Sequence, residues 1–192
     1  MQANRRAAAV TASLGVLIVL SLAGAASAAP RYYFRMGGVK AGPEVGDALK
    51  TYAGDALKEE LASRPEWASD IGATGTDALV AELKKRDLRG FDVTVRVESY
   101  KHEVKDPAQG ARLKRLAVTV RLTVFGTTIP DGKLAFSGEG EAGLESEVAD
   151  KRMEAEQLSM AKDAIKDAVK QAVDQAVLRL APVSEAKHKK KR

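Results

Sequence analysis

The sequence predicts an α+β domain: a mainly antiparallel sheet in the order β-α-β-α-β-β-β-α, with helices packed on one face and a long helix at the C-terminus. Three observations predict it. The first is alternation. Leu116, Val118, Val120, Leu122 and Val124 alternate with Ala117, Thr119, Arg121, Thr123 and Phe125; Phe91, Val93, Val95 and Val97 alternate with Asp92, Thr94, Arg96 and Glu98; Leu134 and Phe136 alternate with Ala135, Ser137, Glu139 and Glu141. A period of two places each set on its own face of a strand. One apolar and one polar face is the pattern of an antiparallel sheet covered on one side. The second is spacing. Residues 106–110 and Pro130-Asp131-Gly132 carry turn residues and are short enough for hairpins, so these three strands follow one another in the sheet. The third is the stretch 147–180, where Leu158, Ala161, Ile165, Val169, Val173, Val177 and Leu180 recur every three or four residues, flanked by Ala168, Ala172 and Ala176.

The remaining elements follow in chain order. Residues 1–28 read as a secretory signal peptide: Arg5 and Arg6, an uncharged apolar run densest at 14–22, and Ala26-Ser27-Ala28 for cleavage. The competing reading is a retained membrane anchor; the small residues and the A-x-A ending select cleavage near Ala28. Tyr32, Phe34 and Met36 alternate with Tyr33 and Arg35 in a strand over 31–41, expected in the interior of the sheet and ended or kinked by Gly37-Gly38. Pro43 suits the first position of a helix running to about Ser63, with Val45, Leu49, Tyr52, Ala53, Ala56, Leu57 and Leu61 as its apolar stripe. Trp67 and Ile71 sit in a loop with a short edge strand. Thr76 or Asp77 caps a second helix bearing Leu79, Val80, Leu83 and Leu88, and Gly90 closes it. Residues 29–181 form the single domain, and 182–192 a basic tail with the composition of a disordered segment.

The third strand and the last helix have complementary surfaces. After Phe136, the same face of the strand continues as Gly138, Gly140 and Ala142. Glycine weakens a strand unless a neighbouring backbone must come close. A helix bearing Ala168, Ala172 and Ala176 is such a neighbour, so Gly138 and Gly140 are expected beneath it, with Glu139 and Glu141 facing water.

Composition excludes several function classes. There is no cysteine among the 192 residues, so thiol chemistry, disulfides and a lipidated N-terminal cysteine are absent. The net charge is +5, but the cations Arg5, Arg6, Lys187, Lys189, Lys190, Lys191 and Arg192 lie at the two ends. Without those seven charges, residues 7–186 carry about −2, and no nucleic-acid face is implied. His102 and His188 are the only histidines, too few for a metal or acid–base constellation. The match Gly138-x-Gly140-x-x-Gly143 falls late in a strand rather than at a strand-to-helix turn, so it is no dinucleotide site. Glu139, Glu141, Glu145 and Glu147 read as a solvated row. Lys101, Lys105, Arg112, Lys114 and Arg115 around the first hairpin read as edge protection. No catalytic, metal or cofactor residue is assigned. The one candidate contact surface is the tail Lys187, Lys189, Lys190, Lys191 and Arg192, which after export suits anionic lipid headgroups or cell-wall polymers.

The order of elements resembles a family of bacterial envelope domains. That family includes the curli-secretion lipoprotein, the lipoprotein activators of penicillin-binding proteins and the N-terminal domain of the Tol-system β-propeller protein. The resemblance is carried by Ala78-Leu79-Val80 leading through Arg89-Gly90-Phe91-Asp92-Val93, by Leu134-Ala135-Phe136-Ser137-Gly138-Glu139-Gly140-Glu141, and by the alanine-rich run 161–180. The chain departs from it in lacking the lipidation cysteine and in having Arg35-Met36-Gly37-Gly38 at the end of its first strand. The resemblance implies a non-catalytic envelope module that binds another protein. The expected function is therefore protein–protein binding or assembly in the periplasm or outside the cell, with no cofactor. The alternative is a periplasmic carrier of a lipid or other apolar ligand, which a pocket lined by Tyr32, Phe34, Trp67 and Phe136 would favour.

Overall fold

Five strands and three helices account for most of the residues described by the computed structural model, which are 31–65, 67–68, 71–107 and 112–180. The leader, the basic tail with its five cations and His188, and residues 108–110 of the first turn lie outside them. The strands are β1 (Tyr32–Ala41), β2 (Trp67–Ala68), β3 (Arg89–Lys105), β4 (Lys114–Thr128) and β5 (Leu134–Val148). The helices are α1 (Asp47–Ala62), α2 (Thr76–Lys85) and α3 (Met153–Leu180). The sheet order is β2-β1-β3-β4-β5. β3, β4 and β5 are consecutive antiparallel neighbours, as their short turns require. β1 pairs in parallel with β3, because a helix-containing crossover separates them. β1 thus lies between β3 and β2, the interior place expected for it, but among the described residues it is flanked on its outer side only at Tyr32 and Tyr33. Its outer neighbour β2 contributes only two residue pairs.

The alternation in β4 is the centre of the fold. Leu116, Val118, Val120, Leu122 and Val124 are each at most 1% exposed, whereas Arg121 between them faces solvent. Phe91, Val93, Val95 and Val97 of β3 share that buried face. α3 lies across β4 and β5, and α1 lies beside it over β1 and β3. The core is the layer between these helices and the sheet. α2 seats elsewhere: Leu79 and Leu83 pack with Ile71, Tyr33 and Ile129. Tyr33 and Gly90 are opposite in parity to the core residues Tyr32 and Phe91, so α2 covers one end of the other face.

Several boundaries differ from expectation for local reasons. α1 begins at Asp47 rather than Pro43, because residues 42–45 form a turn closed by Val45 N–H donating to the Gly42 carbonyl at 3.2 Å. Gly75, at φ 92°, precedes α2 in place of a Thr76 or Asp77 cap. Asp87, not Gly90, takes the left-handed conformation after α2 (φ 54°), and Leu88 N–H returns to the Leu83 carbonyl. Gly90 belongs to β3, where Leu83 occupies the space that a Cβ would fill. β5 runs to Val148, so α3 begins at Met153 and not at residue 147. Leu144, Ser146 and Val148 continue the inward set of β5 against Glu145 and Glu147, a period of two that outlasts the acidic run.

Three register shifts move side chains between faces; one lies between Met36 and Gly38 of β1, so that Val39 and Ala41 share the inward face with Phe34 and Met36. Beyond Val97 the β3–β4 register slips by one residue, so Tyr100, His102 and Val104 fall on the helix side opposite Val120, Val118 and Leu116. Near Ala135 a third slip leaves Leu134 opposite Thr127 and 68% exposed. The expectation that Leu134 faces inward with Phe136 is thereby overturned, while Phe136 is buried. On α3, Leu158 is 43% exposed, contrary to its place in the expected stripe; Met160 and Ala164 are buried instead. The buried face is centred on the alanines, because they meet the glycines of β5.

That meeting is close. A Cβ on Gly138 would land on the Ala172 carbonyl oxygen, and one on Gly140 on the Ala168 carbonyl oxygen. The obstacle is helix backbone, which cannot rotate away. Glu139 and Glu141 are exposed, as the register predicts.

Candidate functional site

A sheet has two edges, and each exposes backbone N–H and C=O groups that can pair with another strand. In this molecule the two edges are treated differently. Along β5, a row of α3 side chains replaces the missing strand. The Gln175 Oε1 accepts from Glu139 N–H at 3.2 Å, and the Gln171 Oε1 from Glu141 N–H at 3.4 Å. Arg179 Nη1 donates to the Ser137 carbonyl at 2.6 Å and to its Oγ at 3.0 Å. The periodicities explain the fit. Four helical residues rise about 6 Å and two strand residues about 6.7 Å, so positions 171, 175 and 179 keep step with 141, 139 and 137. Gly138 and Gly140 let the helix come near enough for Gln171, Gln175 and Arg179 to reach the strand backbone. The cap ends at Glu141; residues 142–148 of β5 carry no such row.

Among the described residues, the β1 edge has no comparable cover. β2 occupies it only at Tyr32 and Tyr33, through pairs with Trp67 and Ala68. Among the described residues, 34–41 have no strand on that side. The strand is kinked, not ended, at Gly37-Gly38: a register shift lies between Met36 and Gly38, and Gly38 has φ 125°. Beside this edge opens a cleft of about 270 Å³, lined by Phe34, Met36, Lys58, Leu61, Trp67 and Ala68. The Trp67 ring lies 4.2 Å from that of Phe34, and the Arg64 guanidinium 5.7 Å from its centre. The Trp67 Nε1 is buried and has no hydrogen-bond partner among the described residues.

The pocket that would have marked a ligand carrier is filled. Phe34 stacks on Phe91 at 5.6 Å, Phe136 meets Phe91 edge-on at 5.4 Å, and Tyr32 lies 6.1 Å from Phe91. Tyr32 also donates its hydroxyl to the Leu180 carbonyl at 3.2 Å. Tyr32, Phe34 and Phe136 are thus neighbours in the core, and Phe34 and Trp67 alone border the cleft.

Charges on the open face are partly spoken for. Arg35 forms a two-pronged pair with Asp92 on β3, at 2.6 and 2.9 Å, and the hydrogen bond to Asp92 raises its pKa. Arg121 holds Glu141 at 2.6 Å. Lys40 has no carboxylate partner among the described residues; its ammonium and the Arg96 guanidinium lie 5.7 and 5.4 Å from the Phe125 ring. Glu139, Glu145 and Glu147 have no cation partner among the described residues. Arg64 ties the end of α1 to α3, bonding Glu60 and Asp174. Burial draws its pKa down, but hydrogen bonds to Asp174 and Glu60 outweigh this and raise it.

The other sequence candidates are dispersed. His102 is exposed, its ring 5.8 Å from that of Tyr100. Lys105 pairs with Glu103 at 3.5 Å and Lys114 with Asp150 at 3.0 Å. Among the described residues there is no group of three or more His, Asp or Glu placed to hold a metal ion. No described helix is long and apolar enough to cross a membrane. Sequence reading missed the helix row; its trace was Gln171-x3-Gln175-x3-Arg179, one position from the alanine series on the side toward β5.

No protein-family model matches the chain. No curated protein matches it significantly. Solved structures overlap it in part. The minor lipoprotein of Acinetobacter baumannii is 13% identical, with a TM-score of 0.40, over 79% of this chain and 95% of that one. The uncharacterized lipoprotein B of Nitrosomonas europaea is 14% identical, with a TM-score of 0.34, over 79% and 82%. These neighbours are bacterial lipoproteins; overlaps of this size carry no functional inference.

Proposed function

We propose that the chain is an exported, non-catalytic protein of the cell envelope that acts by protein–protein binding or assembly, and that its binding surface is the free edge of β1 with the adjoining cleft. The observation that carries the reading is the contrast between the edges. One is closed over residues 137–141 by three side chains of α3, whereas among the described residues 34–41 have no strand beside them and border an apolar cleft. An extended segment added there gains main-chain hydrogen bonds from β1, and one of its side chains can enter the cleft. The leader supports export. The tail cations Lys187, Lys189, Lys190, Lys191 and Arg192 supply a second contact, to anionic lipid headgroups or cell-wall polymers.

The cleft also bears on carriage of an apolar ligand. Its volume of about 270 Å³ lies at the small end of ligand pockets, roughly 300–1,000 Å³. Its lining is shared with an open strand edge, which favours a side chain of an added segment over a whole lipid. The test is a photo-crosslinking amino acid placed at Lys40, on the edge, and in a second protein at Lys170, on the solvent face of α3. Irradiation in the exporting cell should give protein adducts from position 40 and not from 170. No adduct from position 40, or the same adducts from both, overturns the reading.

A further inference from the structure

We propose that the free edge of β1 is filled by the uncapped half of β5 from a second copy of the chain, in head-to-tail fashion. This rests on the reading of the β1 edge as the binding surface and names its partner. Both pairing segments are visible in one molecule. β1 offers residues 34–41, beyond β2. β5 offers residues 142–148, beyond the last contact of the α3 row at Glu141. They are nearly equal in length.

Direction and parity agree. β1 is parallel to β3, and β3 and β5 are both antiparallel to β4, so β1 and β5 run the same way. A second copy shifted along the sheet with its helices on the same side brings β5 beside β1 in parallel. That is the sense in which β2 already pairs. On the helix side, Phe34, Met36, Val39 and Ala41 then meet Ala142, Leu144, Ser146 and Val148. On the open side, Arg35, Gly38 and Lys40 then meet Gly143, Glu145 and Glu147 in turn. Apolar residues continue the core layer, Lys40 faces Glu147, and Glu145 lies one step along the same face.

The same charges discriminate against the symmetric alternatives. Residues 31–41 contain Arg31, Arg35 and Lys40 and no acid; β5 contains Glu139, Glu141, Glu145 and Glu147 and no cation. Pairing β1 with β1, or β5 with β5, sets like charges side by side, which is unfavourable. Pairing β1 with β5 does not. Of these charges, Arg31, Lys40, Glu139, Glu145 and Glu147 have no ionic partner among the described residues, and Lys40, Glu145 and Glu147 are the ones that fall within the two pairing segments. Such a contact is heterologous: each copy keeps one edge of each kind free, so the assembly extends past a dimer or closes on itself.

The chain lacks cysteine, so introduced cysteines report contacts without background. Lys40→Cys and Glu145→Cys are made in separate mature chains, and Glu147→Cys in a third to cover a shift of register. Under mild oxidation, Lys40→Cys mixed with Glu145→Cys or Glu147→Cys should give a disulfide-linked dimer at least five-fold above the yield of any single variant alone. Sedimentation equilibrium of the unmodified mature chain should show a mass above the monomer that rises with concentration and falls as salt is raised to about 0.5 M, where exposed charges are screened. Lys40→Glu should weaken association, and Lys40→Glu combined with Glu145→Lys and Glu147→Lys should restore it. A chain that stays monomeric at high concentration overturns the inference. So does Lys40→Cys linking chiefly to itself, which would mean symmetric pairing. If the chain is monomeric and position 40 still crosslinks to a different protein in the cell, the inference fails and the proposed binding edge stands.

Discussion

The two edges of this sheet present the same backbone chemistry, yet the fold disposes of them in opposite ways. At β5 a helix comes so close that a Cβ on Gly138 or Gly140 would strike its backbone, and its Gln171, Gln175 and Arg179 side chains satisfy alternate edge groups. At β1, among the described residues, two residues of β2 are the only pairing on the outer side, and a Cβ on Gly37 would meet Thr94 Oγ1 at 2.8 Å and the Val93 carbonyl oxygen at 3.3 Å, well short of the collision at β5. The difference shows what closing an edge requires: small residues on the strand, small residues on the helix, and polar side chains every fourth position in between. Where that combination is missing the edge stays available, and it is there that binding is proposed.

The largest expected effect comes from breaking the closed side at its core. Val169 is 1% exposed and faces the sheet. Val169→Asp buries a charge without a partner and should destabilise by about 4 kcal/mol, read from denaturant unfolding. Lys166→Asp on the same helix loses a solvent-exposed pair with Glu59 and should barely move the unfolding midpoint. Next is the glycine contrast. Gly140→Leu forces α3 off β5 and should cost about 3 kcal/mol. Gly37→Ala on β1 should cost about 1 kcal/mol, less than at Gly140, since its nearest obstacle is a single side-chain atom of Thr94 rather than helix backbone. Equal costs would mean that the two edges are not differently packed. A smaller effect tests the side-chain row. Gln171→Ala with Gln175→Ala removes two exposed hydrogen bonds and should cost about 1 kcal/mol, with faster amide exchange at Glu139 and Glu141.

The smallest effect lies in α2, away from both edges, and serves as a control. The hydrogen bond from Arg86 holds the Glu82 carboxyl below its usual pKa. A depressed pKa means that this stabilisation is complete above the unfolded-state value and is lost as pH falls through the folded-state value. Glu82→Gln should therefore flatten the acid side of the stability profile slightly and leave the β1 edge unchanged.

Most of the fold was legible in the sequence because one face of each strand is buried. Where burial is complete, as at Leu116, Val118, Val120, Leu122 and Val124, a period of two leaves one register. The glycine–alanine contact was legible for the same reason, through parity with Phe136. Parity failed where a bulge intervened, at Leu134 and beyond Val97, because one extra residue changes the face without changing the composition. The start of α3 was misplaced because Glu145 and Glu147 fit a helix start as well as a strand face. The candidate site itself was the least legible. It is made of backbone groups left unpaired, and which strand lies outermost depends on the parallel β1–β3 crossover, which no local pattern encodes.

The β5 edge is closed over residues 137–141 and the β1 edge is open over 34–41, and native-state amide exchange measured residue by residue on the dilute mature chain distinguishes the two. The account predicts protected amides at Glu139 and Glu141 and, within residues 34–41, fast exchange at the alternate amides that point away from β3. Uniform protection along residues 34–41 in a monomer, or exchange at Glu139 and Glu141 as fast as at the β1 edge, would contradict it.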